Sequence, residues 1–240
     1  MYTRRQIFLQ HVAQTSPTPP ALDISRAKGV YLYDQNNKKY LDLISGISVS
    51  SLGHGHPEIL EATKAQIDKH MHLMVYGEYI ISPQIKLAQE LSDQLPEQLS
   101  TVYFTNSGTE ATEGAMKLAK RFTGRTNFVS FRNSYHGSTQ GALSICGNEW
   151  LKNAYRPLLT GQTILDFNDE FQFDLIDQNT AAVFVEPIQA EAGIILPENN
   201  FLEKLAGHCK KVGALLVFDE IQTGMGRTGK LFAFQHYNVV

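Results

Sequence analysis

Residues 215–229 have the sequence LLVFDEIQTGMGRTG, a short apolar run that ends in a carboxylate and a glycine-rich turn. Short runs of this kind are typical of strands buried on both faces of a sheet. Similar runs lie upstream, separated by helical or loop stretches, at Val102–Thr105, Asn127–Phe131, Thr163–Phe167 and Ala181–Val185. Strands that alternate with helices usually pair in parallel through right-handed crossovers. The pattern therefore predicts an α/β fold with a mostly parallel sheet flanked by helices.

Apolar residues at helical spacing occupy several of the intervening stretches. They predict a helix that begins at Pro57 and further helices over Pro83–Leu95, Glu110–Thr123 and Asn200–Val212. Near the start of the chain, Val30–Tyr33 and Lys39–Leu43 are strand-like, and the turn-forming residues Asp34–Asn37 join them. This arrangement predicts an antiparallel hairpin in the first 50 residues.

The composition excludes several classes of protein. With 42% hydrophobic and 19% charged residues, the chain is globular rather than disordered. A net charge of −3 and a pI near 6.2 argue against nucleic acid or an anionic membrane as the main partner. Cys146 and Cys209 form neither a disulfide framework nor a metal-site spacing. No signal peptide or membrane-spanning run is apparent, and we expect a cytoplasmic protein.

Ser107, Gly108 and Thr109 lie between the run Val102–Thr105 and the helix predicted over Glu110–Thr123. A helix start presents free N–H groups with partial positive charge, and a glycine lets a ligand approach the backbone closely. The segment is therefore a candidate phosphate-binding site. The alternative is that Ser107 or Thr109 only caps the helix, since both residue types are common at that position.

Two further polar segments follow strand candidates. Tyr135 and His136 come after Asn127–Phe131 and could stack on, and hydrogen-bond to, a flat aromatic ligand; the alternative is a surface loop with a half-buried tyrosine. Glu186 ends the run Ala181–Val185, with Glu191 five residues later. These carboxylates could orient groups, pair with an arginine or transfer protons, or could simply bind the loop backbone and water.

Asp219 follows the apolar run Leu215–Phe218, and Gln222 lies three residues after Asp219. A carboxylate there could hold a protonated heterocyclic nitrogen or Mg²⁺, or could cap a loop. Residues Gly224–Lys230 also match G-x-G-x-x-G and the start of a phosphate-binding G-x-x-x-x-G-K loop. Leu231 stands where such a loop needs Ser or Thr, and no helical pattern follows. A nucleotide-binding protein using this loop is the alternative interpretation.

Together these segments resemble those of the class III aminotransferases, which use pyridoxal phosphate (PLP). The matching stretches occur in the family's order: SLGHGHP at 51–57, FTNSGTEATEGAMKLAKR at 104–121, SYHGST at 134–139, VEPIQAEAG at 185–193 and LLVFDEIQTGMGRTG at 215–229. The resemblance implies the type I fold of PLP-dependent transferases. It also implies transfer of an amino group from an amino acid or ω-amine to a 2-oxo acid.

The resemblance assigns the cofactor-binding roles by position. Ser107, Gly108 and Thr109 would hold the cofactor phosphate, and Tyr135 would stack on the pyridine ring with His136 beside it. Two more residues would contact the ring: the catalytic Asp219 would pair with the pyridinium nitrogen, and Gln222 would reach the phenolic oxygen.

The substrate side follows from the same resemblance. Glu186 would support the site. Glu191 matches an acid that in several relatives pairs with a later arginine and moves beside the substrate. Ile47 stands where ornithine-specific relatives carry a tyrosine, which lowers the expectation for ornithine.

One departure concerns the lysine that forms a Schiff base with the cofactor. In the family it follows the next strand after Gly229, and Lys230 is too close to Asp219 to be that lysine. We therefore expect a fragment that lacks it and is inactive alone, or a non-catalytic partner of a full-length relative. Residues 1–50 would belong to a small domain and residues 51–240 to an incomplete PLP-binding large domain. Relatives are usually homodimers.

Overall fold

The computed structural model describes residues 2–74 and 77–239. The chain forms two compact units, Met1–Ile80 and Ile81–Val240. The predicted division into residues 1–50 and 51–240 remains a prediction, and compactness alone places the division later in the chain. Within the described residues, no helix has the length and apolar character needed to cross a membrane.

The first unit contains a small antiparallel sheet. Its elements are α1 (Arg4–His11), β1 (Ile24–Lys28), β2 (Tyr31–Asp34), β3 (Lys39–Leu41), α2 (Ser45–Ser48) and α3 (Pro57–Lys69). The predicted hairpin is confirmed as β2 paired with β3, with Leu32 opposite Tyr40. Strand β1 pairs with the other edge of β2 and was not predicted. Four of its five residues are exposed, so its sequence lacks the apolar alternation that marks a strand.

The second unit is built on a parallel sheet. Its helices are α4 (Ser82–Asp93), α5 (Gly108–Thr123), α6 (Gln140–Ile145), α7 (Glu149–Lys152) and α8 (Phe201–Val212), and its strands are β4 (Asn127–Phe131), β5 (Gln162–Leu165), β6 (Thr180–Val185) and β7 (Leu215–Phe218). The strand order is β5-β4-β6-β7, with every neighbouring pair parallel. The predicted α/β fold with a parallel sheet is confirmed.

Strand β6 lies at the centre of the core. All six of its residues are buried, and they alternate between the two faces of the sheet. Val183 and Val185 pack in a cluster with Leu202 and Leu205 of α8. Ala182 and Phe184 belong to a second cluster that contains residues of α5, among them Met116 and Ala119. Helices therefore cover both faces, which explains why the strands are apolar throughout.

The prediction of a strand at Val102–Thr105 is wrong. The segment has no regular secondary structure, and no strand in the described part of the chain pairs with it. Tyr103 is 73% exposed and Phe104 is 43% exposed. A short apolar run indicates a strand only when a neighbouring strand is available, and this run has none.

Candidate functional site

The carboxyl ends of β4, β6 and β7 lie next to one another, since these strands are parallel neighbours. The segment that contains Tyr135 and His136 follows β4, Glu186 follows β6, and Asp219 follows β7. In open parallel sheets, ligands bind in the crevice outside this edge. The topology thus brings together chemical groups of which His136 and Asp219 are separated by 83 positions in the sequence.

His136 and Asp219 form the central pair. His136 Nδ1 lies 2.8 Å from Asp219 Oδ2, and the imidazole is fully buried while the carboxylate is 11% exposed. Asp219 Oδ1 also accepts a hydrogen bond from the Ile221 N–H at 3.2 Å. The carbonyl of His136 accepts from the Thr112 hydroxyl at 2.9 Å. These contacts hold the carboxylate in one orientation, with acceptor capacity left for a ligand.

The Nε2 atom of His136 is buried and has no hydrogen-bond partner among the described residues. A buried polar atom without a partner is costly, and such atoms are frequent at functional sites. Ser134 Oγ, two residues earlier, is likewise buried and without a partner there.

Glu186 connects two loops of the site. Its Oε1 accepts from the Tyr135 N–H at 2.8 Å, and its Oε2 accepts from the Ala190 N–H at 3.0 Å. The residue is 7% exposed. Burial raises the pKa of this carboxyl group despite the two hydrogen bonds, which act in the opposite direction. Glu186 thus fixes the backbone that carries Tyr135 relative to the loop that carries Glu191.

The start of α5 packs against both neighbouring segments. A Cβ added to Gly108 would lie 3.0 Å from Ile221 Cγ1. A Cβ added to Gly137, whose φ is +127°, would lie 2.6 Å from Thr109 Cβ. Larger residues at these glycines would separate the helix start from the loops after β4 and β7. The close approach places the candidate phosphate cradle beside the His136–Asp219 pair.

Ser107 is the N-cap of α5, and its Oγ accepts from the Glu110 N–H at 3.2 Å. The capping interpretation is therefore confirmed for this residue. It does not exclude a cradle, because a hydroxyl that accepts one hydrogen bond can still donate its own proton. Ser107 is exposed at the helix start, where an anion is also favoured by the helix dipole.

Four other predicted side chains are more exposed than the buried His136 and Glu186. Tyr135 is 40% exposed, so one part of its ring is available to a ligand. Gln222 is half-buried in the turns after Asp219, and Glu191 is exposed. Ile47 belongs to the first unit, where it is 64% exposed with a φ of +61°.

Cys146 also helps to hold the loop that carries His136, and the sequence did not indicate this role. Its Sγ accepts from the His136 N–H and donates to the Gly137 carbonyl, both at 3.3 Å. Burial raises the pKa of this thiol. The sequence motif ends at Thr139, and no local pattern connects Cys146 to it.

The glycine loop lacks the geometry of a nucleotide site. Residues Gly224–Lys230 form turns, and a 3₁₀ segment at Ala233–His236 follows rather than an α-helix. Glu220 holds this loop by accepting from the Ala233 and Phe234 N–H groups at 3.0 and 2.7 Å. The nucleotide-binding alternative depends on a helix start that this loop does not form.

The histidine-rich stretch near residue 55 forms loop hydrogen bonds. His54 Nε2 lies 2.7 Å from Asp42 Oδ2, and this bond lowers the pKa of the aspartate. Residues 2–74 and 77–239 contain no group of three or more side chains placed to hold a metal ion.

The site suits a flat, heterocyclic ligand with an anionic tail. The start of α5 can bind the anion, and the exposed Tyr135 ring can stack on the flat face of the ligand. The Asp219 carboxylate can pair with a protonated ring nitrogen. At Gly108 and Gly137 the start of α5 comes into close contact with the loops after β7 and β4, which carry these groups.

Comparisons with known proteins agree with this chemistry. The family model described as "Aminotransferase class-III" matches residues 12–240. Acetylornithine aminotransferase of Methanopyrus kandleri is 41% identical over 214 residues, which are 89% of this chain and 54% of that protein. Acetylornithine aminotransferase of Archaeoglobus fulgidus is 40% identical over 231 residues, which are 96% of this chain and 60% of that protein.

Solved structures show the same likeness. Taurine:2-oxoglutarate aminotransferase from Bifidobacterium kashiwanohense, in complex with PLP and glutamate, superposes with a TM-score of 0.89 at 32% identity, covering 98% of this chain and 58% of that chain. An ornithine aminotransferase from Toxoplasma gondii gives a TM-score of 0.87 at 31% identity, covering 98% and 56%. The chain thus spans a little over half the length of the proteins it matches.

Proposed function

The chain belongs to the class III aminotransferases, whose cofactor is PLP, and we propose that it forms the cofactor-binding part of an enzyme that moves an amino group from an amino acid or ω-amine to a 2-oxo acid. The observation that carries the proposal is the meeting of three segments at one sheet edge. Asp219 lies 2.8 Å from His136, Gly137 packs on Thr109, and Gly108 packs on Ile221.

The proposed cofactor contacts are those that the family resemblance implies, and the meeting of the three segments supports them. Ser107 and the N–H groups of Gly108 and Thr109 hold the phosphate, and Tyr135 covers one face of the ring. Asp219 accepts a hydrogen bond from the ring nitrogen, with His136 orienting the carboxylate. Two residues complete the set: Gln222 contacts the phenolic oxygen, and Glu186 keeps Tyr135 in place.

Asp219 has the central chemical task. A carboxylate beside the ring nitrogen favours its protonated form through opposite charge. When bound, the protonated ring supplies an acceptor for the electrons released as the substrate loses a proton. The pairing with His136 and Ile221 holds the carboxylate in place before the cofactor arrives, so little reorganisation is needed.

The relatives' names bear on the substrate. Several are acetylornithine aminotransferases, and others are [LysW]-aminoadipate semialdehyde/glutamate semialdehyde transaminases. We propose a donor with a terminal amine and a 2-oxo acid acceptor, with Glu191 on the substrate side; a substrate role for Ile47 stays a prediction. We further propose a cytoplasmic homodimer, and expect neither nucleic acid nor membrane as a partner.

We expect these 240 residues to bind PLP without turnover on their own. Lys230 donates to the Gln235 carbonyl at 2.5 Å. A covalent link between lysine and cofactor would be needed for the family's reaction.

Equilibrium dialysis of the chain against PLP, read by absorbance, tests the proposal. Wild type should bind PLP, and Asp219→Ala should weaken binding at least tenfold, since a hydrogen bond to a charged group contributes about 1.5–3 kcal/mol. Glu191→Ala, which removes an exposed carboxylate, is the matched control and should bind PLP as wild type does. Equal binding by Asp219→Ala and wild type would contradict the proposed site. Transamination by the wild-type chain alone would contradict the expected lack of turnover.

A further inference from the structure

Glu113 lies one helical turn after Thr109 on α5. Its Oε1 accepts three hydrogen bonds, from the Thr139 hydroxyl at 2.6 Å, the Gly141 N–H at 2.8 Å and the Ala142 N–H at 3.1 Å. The two N–H groups belong to the first turn of α6, where Thr139, the N-cap residue, makes no side-chain cap of its own. Glu113 therefore caps a second helix from a distance of 28 residues in sequence.

The number of hydroxyl protons fixes the direction of the hydrogen bonds between Thr109, Thr139 and Glu113. The Thr139 hydroxyl has one proton, and it donates this proton to Glu113. Thr109 Oγ1 lies 2.7 Å from Thr139 Oγ1, so Thr109 must be the donor in that contact. The Thr139 N–H also donates to Thr109 Oγ1 at 3.2 Å. The only proton of the Thr109 hydroxyl is thereby used within the protein.

Gly141 permits this arrangement. A Cβ on Gly141 would lie 2.7 Å from Glu113 Oε1, so only glycine lets the carboxylate reach the first turn of α6. The residue is buried and lies in a helix, where glycine is otherwise unfavourable by about 0.5–1 kcal/mol relative to alanine.

We propose that Glu113 is a positioning residue that, through Thr139, locks the Thr109 hydroxyl as a brace between the start of α5 and the loop that carries Tyr135. The inference rests on the proposed PLP site and deepens it. In this arrangement the Thr109 hydroxyl has no proton to give to the cofactor phosphate. The phosphate is recognised by the backbone N–H groups and by the Ser107 hydroxyl, whose proton is not committed.

Hydrogen exchange of the chain without cofactor tests the brace directly. Thr109→Val and Glu113→Ala should each speed exchange at the Gly141 and Ala142 amides by about tenfold, the effect of one typical hydrogen bond. Thr109→Ser and Glu113→Gln keep an oxygen in place and should restore most of the protection. Ser107→Ala should leave exchange at these two amides unchanged. Unchanged exchange in Thr109→Val would overturn the proposal.

Binding of two probes separates a brace from a phosphate ligand. PLP and pyridoxal differ only in the phosphate, so the ratio of their affinities reports phosphate recognition. Thr109→Val should weaken both probes by the same factor and leave the ratio unchanged, whereas Ser107→Ala should lower the ratio about tenfold. Lys117→Ala, on an exposed position of α5, is the control and should change neither affinity.

The outcomes distinguish this inference from the proposed function. If Thr109→Val lowered the ratio of affinities as Ser107→Ala does, the hydroxyl would be a phosphate ligand and the brace would be refuted. If the wild-type chain bound neither probe, the proposed function would fail. The exchange measurement would still decide for or against the brace, since it needs no cofactor.

Discussion

Replacement of Glu186 by alanine should destabilise the unit Ile81–Val240 by about 2 kcal/mol. The carboxylate makes two hydrogen bonds to buried backbone, to Tyr135 and Ala190, and each bond to a charged group contributes about 1.5–3 kcal/mol. Relief of the desolvation of a buried charge offsets part of that sum, which leaves about half of it as the expected loss.

Urea unfolding followed by circular dichroism measures the difference in free energy. Glu191→Ala is the matched control, because Glu191 is an exposed carboxylate in the same loop and its removal should change stability by less than about 0.5 kcal/mol. If Glu186→Ala were no less stable than Glu191→Ala, the role of Glu186 as a link between the two loops would be refuted.

The pH dependence supplies a second test of the same residue. Burial raises the pKa of Glu186 in the native state, so the folded chain retains this proton at a pH where the unfolded chain has released it. The contribution to stability is complete below the ordinary glutamate pKa, near pH 4, and is lost as the pH rises through the raised value. Glu186→Gln does not titrate, so its stability should improve relative to wild type over that interval. A constant difference between the two proteins would show that the pKa is not raised.

Further predictions concern the packing at two glycines and the reactivity of the two cysteines. Gly137→Ala should cost more than about 2 kcal/mol and weaken PLP binding, because its positive φ and its contact with Thr109 exclude a side chain. Gly207→Ala, in an open position on α8, should instead stabilise the chain by about 0.5–1 kcal/mol. Thermal unfolding measures the change in stability of each variant. Equal changes in the two variants would contradict the reasoning. Cys146 and Cys209 are buried, and the pKa of Cys209 is raised to about 12, so neither thiol should react with a disulfide reagent until the chain is denatured. Rapid labelling of the native protein would disprove this.

Much of the second unit could be predicted from local sequence. The observed β4 matches the predicted strand Asn127–Phe131, and the other three strands begin within one residue of the predicted positions. Runs of β-branched and aromatic residues carry this signal because strands buried on both faces must be apolar throughout. The candidate residues Tyr135, Glu186 and Asp219 were also predicted to follow strands, as they do, whereas Ser107–Thr109 follow a segment that is not a strand. Their contacts with one another were not predicted, and their roles toward a cofactor remain proposals.

Other features depend on pairing and packing that the composition of a segment does not indicate. Val102–Thr105 has the composition of a strand but no described neighbour, whereas Ile24–Lys28 is polar and forms a strand because β2 offers a free edge. Cys146 and Glu113 carried no local signal, since each acts on a loop that only the fold brings to it.

The sequence by itself determined where the apolar runs, the helix starts and the chemically active side chains lie, because these depend on residues a few positions apart. Only the tertiary structure decided that His136 meets Asp219, and that the Thr109 hydroxyl gives its proton to Thr139 rather than leaving it free. A hydrogen bond needs a donor and an acceptor within about 3 Å, and that distance is set by how whole strands and helices pack together.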